Sequence, residues 1–135
     1  MEGWVLWFGR LAVTAFFATA FGQSAADKWL DRAGNLAFLR EHFAASPLRA
    51  LVPFLFWTIT VLESLAGGLC GLGALQLLVG LGSGLALLGM VFAVVSLLCL
   101  FFGQRLAKDY AGAAVLASYM AVALLGLILL GFRGG

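Results

Sequence analysis

Glu63 stands inside FWTITVLESLAGGLCG, residues 56–71, a run of apolar and small residues in which it is the one charged group. Counted from the start of its apolar segment it lies some 12 residues in, roughly 18 Å at 1.5 Å per residue and near the middle of a hydrocarbon core about 30 Å thick. An ionised carboxylate at that depth costs at least about 3 kcal/mol, so Glu63 must face its neighbours and either take a cation or keep its proton. Two cations are on offer from the first apolar segment, Arg10 near its start and Lys28 at its end. The chemistry open to such a set is an ion pair, a polar pocket for a ligand head group, or a proton path.

Helical spacing refines this. Thr60, Gly67, Cys70 and Gly71 share the face of Glu63, so the carboxylate looks over a strip of small side chains. That strip suits either the close approach of another helix or room for a ligand. The GxxxG spacings Gly67–Gly71 and Gly80–Gly84, with Gly68 between, are candidate helix-packing positions. On the first segment, Arg10, Thr14, Phe17, Phe21, Ser24 and Lys28 draw one face with a cation near each end. Arg10, roughly 9 Å deep, can bridge to Glu63 and fix helix register, help to line a ligand pocket, or reach back to headgroups.

The elements that must position these groups follow from composition. Of 135 residues, 64% are hydrophobic and only 10% charged. A soluble domain has nearer 25% charged residues, and a mean hydropathy of +1.10 belongs to a membrane protein. Four apolar stretches are each long enough to cross a bilayer, at about 4–26, 50–74, 81–102 and 111–132. The expected fold is an all-α integral membrane protein, a single domain of four transmembrane helices in a compact bundle. Ala18-Thr19-Ala20 resembles a secretory cleavage site, but no Lys or Arg precedes the apolar run, so the first segment reads as a retained helix.

Between the first two spans, Leu36, Leu39 and Phe43 recur at helical spacing after Asn35 as a candidate cap, which predicts a short amphipathic helix at the interface. VGLGSG, residues 79–84, predicts the turn between the second and third spans, and GQRLAKDY, residues 103–110, a polar hairpin before the fourth. Lys28, Arg32, Arg40, Arg49, Arg105 and Lys108 all fall on the first and third connections, against Arg133 and Arg10 on the other side. This bias predicts both termini outside and the polar connections cytoplasmic.

The net charge of +2 and the lack of a basic cluster argue against nucleic acid as a partner. One histidine and two cysteines cannot form a metal cage or ligate haem twice, so neither a catalytic group, a metal site nor a cofactor motif is predicted. Cys70 and Cys99 read as packing residues, His42 as a solvated or headgroup contact, Lys108 and Asp109 as a surface pair. Tyr119 is a candidate hydrogen-bond donor into the bundle.

An early arginine in the first span, FFATAFGQSAADKW with its closing lysine, an amphipathic connection and ESLAGGLCGLG resemble the DoxX-like family of small four-helix membrane proteins. The matching positions are Arg10, Lys28, Glu63, Gly67 and Gly68; QSAAD stands where the family usually has a glycine before the lysine. The resemblance implies a non-catalytic accessory subunit of a membrane redox complex, quinone-linked or respiratory in type, in a bacterial or archaeal inner membrane. Its partners would be lipids and other subunits, with Arg10, Lys28 and Glu63 shaping a quinone or lipid site. Two other classes fit the residues. One is a small proton-coupled transporter using Glu63, the other a structural or assembly protein in which the charges only set register.

Overall fold

The computed structural model describes residues 2–132 and is a bundle of helices. In chain order these are α1 (Gly3–Leu30), α2 (Arg32–His42), a 3₁₀ turn (Arg49–Leu51), α3 (Val52–Leu78), α4 (Gly84–Leu106) and α5 (Tyr110–Gly131). Four of these segments are long and apolar enough to cross a membrane, with α3 counted together with the turn before it. Arg133 and the glycines after it lie outside the described residues.

Each span exceeds its apolar core at one end or both. Helix α1 continues through Ala26-Asp27-Lys28 to Leu30, and α4 continues through Gly103-Gln104-Arg105-Leu106, where the sequence pattern predicts a hairpin. Hydropathy reports where hydrocarbon ends, whereas the backbone stays helical until its terminal groups find other partners. The remaining α4–α5 link is three residues, closed by Lys108 at φ 61° and by Asp109, whose carboxylate accepts from the Gly112 N–H. The α3–α4 turn puts Gly80 at φ 76° and Gly82 at φ 102°, conformations that other residues adopt only with strain. Pro53 sits in the first turn of α3, where its missing N–H leaves no bond unmade.

Helix α2 begins three residues before the expected cap. Asp31 is the N-cap and accepts from Gly34 N–H, while the Asn35 amide donates back to Asp27 and to the Asp31 carbonyl. An aspartate is as good a cap as an asparagine, and the Asp31 backbone, at φ −129° and ψ 58°, has already left the helical region.

The core lies along α3 and α4, where Phe17, Phe21, Ala66, Cys70, Met90, Ala93 and Ala123 are buried against one another. Close approach depends on glycines that face a neighbouring backbone. A side chain at Gly67 would place Cβ 2.6 Å from the Gly22 nitrogen on α1, and one at Gly89 would meet the Cys70 nitrogen at 2.7 Å. Gly73 meets the Ala86 backbone in the same way, and at Gly126 an added Cβ would press on Val13. Of the other expected packing glycines, Gly68, Gly71 and Gly84 have open space at their Cβ positions and Gly80 serves the turn. Gly67 packs as expected, but the GxxxG pairs do not act as units: Gly71 and Gly84 face open space, and the other crossing points are held by Gly73, Gly89 and Gly126.

Candidate functional site

Gly22 opposite Gly67 fixes how α1 and α3 align. The helices run antiparallel, so Glu63, one turn before Gly67, lies level with α1 residues one turn after Gly22. There it meets Ser24 and Lys28. The Lys28 ammonium is 2.8 Å from Glu63 Oε1, and the Ser24 hydroxyl stands 3.0 Å from both carboxylate oxygens. Lys28 also donates to Ser24 Oγ at 2.9 Å, which closes the three groups into a triangle. Glu63 is 3% exposed. A charge removed from water needs both a counter-charge and hydrogen bonds, and this arrangement gives Glu63 both.

Of the roles open to Arg10, the bridge to Glu63 does not form. Arg10 is 14 residues before Ser24, roughly 21 Å along α1 at 1.5 Å per residue, and thus lies toward the other membrane face. Its guanidinium bonds the carbonyl of Leu129 at 3.0 Å and that of Phe132, capping the open end of α5. Among the described residues those carbonyls have no helical partner, and a cation suits the negative end of a helix. The Arg10 face predicted for α1 is nonetheless the inward one, since Thr14, Phe17 and Phe21 are buried and Ser24 and Lys28 reach Glu63. The three fully buried hydroxyls bond within their own helices: Thr14 to Arg10 O, Thr60 to Phe56 O and Ser96 to Phe92 O, each between 2.6 and 2.7 Å.

By the same alignment, the end of α1 at Leu30 falls level with about residue 59 of α3, which runs on for another turn or two to Val52. Helix α2 folds over the space that α1 vacates and fills it incompletely. The cavity left there has a volume of about 360 Å³, within the range of small-molecule sites. Phe38, Leu39, Phe43, Val52, Leu55, Ile59, Leu100 and Phe102 make most of its wall. Four polar side chains reach it: Lys28 from the direction of Glu63, which lies one turn past Ile59, and Asn35, His42 and Gln104 from α2 and α4.

His42 differs from the expected solvated contact. Its ring stacks on Phe38 and its Nε2 lies 2.5 Å from Gln104 Oε1, with Asp109 Oδ2 at 3.7 Å, so it latches α2 to the end of α4. Among the described residues Asp109 caps α5 and faces His42 rather than pairing with Lys108. Cys70 is buried at the α3–α4 contact, but Cys99 is exposed and borders the cavity, so only Cys70 packs as expected. Tyr119 points outward beside Phe16. The sequence does not mark Ser24, Asn35, His42 and Gln104 as a site; its hints are that Ser24 shares the face of Lys28 and that Gln104 is a polar amide just past an apolar run.

Among the described residues no group of three His, Cys, Asp or Glu side chains could hold a metal ion. The chain matches no model of a known family, no curated protein and no solved structure.

Proposed function

We propose that the chain is a non-catalytic accessory subunit of a membrane redox complex, DoxX-like in kind, and that it shapes a quinone or lipid site within its bundle. The observation that carries this reading is the apolar cavity under α2, which ends at a lysine already engaged by Glu63 and Ser24. An amphiphile with a long apolar body and a compact polar head fits such a space, because the walls bury the body while a few polar groups fix the head. Arg10 serves the bundle by capping α5 and takes no part in the site.

Proton-coupled export of a cationic substrate has less support. It needs a carboxylate that can accept the substrate's charge, and Glu63 already holds Lys28 at 2.8 Å. By the bias of basic residues, the α2 end faces the cytoplasm of a bacterial or archaeal inner membrane, with both termini outside.

Purification from native membranes in a gentle detergent, with mass spectrometry of the proteins and small molecules retained, tests the proposal. Cofactor-bearing oxidoreductase subunits, or a quinone or lipid in stoichiometric amount, are the expected result. A homo-oligomer that carries neither would overturn it.

A further inference from the structure

The cavity's selectivity is set by charge balance at its Lys28 end. Lysine carries three N–H donors, and among the described residues Glu63 and Ser24 engage two of them. The ammonium can therefore still donate one hydrogen bond. Its charge, however, is already matched by the Glu63 carboxylate 2.8 Å away. An oxygen that accepts a hydrogen bond without bringing charge completes this set. A carboxylate or phosphate would set a second negative charge beside Glu63 in a medium that screens poorly, and would find no uncompensated cation. Asn35 and Gln104 are uncharged. Of the remaining titratable neighbours, Cys99 can bring no positive charge, since a thiol is neutral or anionic, and His42 has Asp109 at 3.7 Å. Neither end of the cavity thus offers an unmatched positive charge.

From this we infer that the cavity binds apolar molecules with a neutral, hydrogen-bond-accepting head such as a carbonyl, seated on Lys28, and that Glu63 is the residue that excludes anionic heads. This rests on the reading of the cavity as an amphiphile site and decides which amphiphiles it takes. Glu63 acts here through Lys28 and is a specificity-determining residue.

Cys99 supplies the readout, because it borders the cavity while Cys70 is fully buried. The purified protein is labelled with a small maleimide in the presence of either undecan-2-one or decanoate, which share one alkyl tail and differ only in a methyl group against an ionised oxygen. The ketone is expected to slow Cys99 labelling at concentrations at least ~10-fold lower than decanoate, the size of one charge-assisted interaction. In Glu63→Gln the Lys28 charge is uncovered, and the order is expected to reverse. Decanoate protecting wild-type protein as well as or better than the ketone overturns the charge-balance inference and leaves the amphiphile site standing. Protection by neither molecule overturns both. Should Glu63→Gln fail to fold, the wild-type comparison still decides; if it folds and keeps the wild-type preference, Glu63 is not the excluding group.

Discussion

Lys28 and Glu63 illustrate how a residue too costly to stand alone becomes tolerable in company. Replacing Lys28 with Met leaves a buried carboxylate with only Ser24, and unfolding in a denaturing-detergent titration should show a loss of about 3–5 kcal/mol. Replacing Glu63 with Leu in the same chain removes the orphan, and most of the loss should return. An unchanged single variant would mean that the pair is not holding the bundle. That Glu63 must face its neighbours, and that the first helix offers it cations, could be read from the sequence, because depth and charge are local properties. Which cation it takes could not. The choice depends on how α1 and α3 slide past each other, and that register is set by Gly22 meeting Gly67, a contact across 45 residues that no local pattern encodes. Ser24 was on the correct face, but a serine among alanines carries no mark of its partner.

Helices meet through a few positions, and the consequences of substitution differ sharply among glycines that look alike in sequence. Gly67→Val and Gly73→Val push backbone against backbone and should remove most folded protein, as size-exclusion chromatography in mild detergent would show. Gly71→Ala meets open space and trades a flexible residue for a good helix former, so it should hold or raise stability by up to about 1 kcal/mol. If Gly71→Ala proves as damaging as Gly73→Val, the crossing points assigned above are wrong. Helix α2 stands apart from these contacts, held by Phe38, Phe43 and the His42–Gln104 bond. His42→Ala should speed hydrogen exchange across residues 36–43 by roughly fivefold to tenfold, the value of one hydrogen bond, without moving the unfolding of the four spans. The four spans themselves were legible because each is a long apolar run. Their ends were not, since the polar turns of α1 and α4 remain helical beyond the hydrocarbon.

The molecule as a whole has one end that collects most of its Lys and Arg, marked by α2 and the α4–α5 link, and one end marked by the tight α3–α4 turn. Cysteines placed at exposed Ala44 and Leu81 in a Cys99→Ser chain should react with a membrane-impermeant reagent from opposite sides, Ala44→Cys from the cytoplasm and Leu81→Cys from outside. Labelling of both from one side would refute the four-span reading, and the reverse assignment would refute the orientation. The ion pair bears on the chain's history as well as on its folded form. Synthesis proceeds from the N-terminus, so the segment bearing Lys28 leaves the ribosome before the one bearing Glu63. When the second span enters the bilayer with a carboxylate that hydrocarbon would refuse, its counterion is already waiting there; the order of translation lowers the barrier to inserting it.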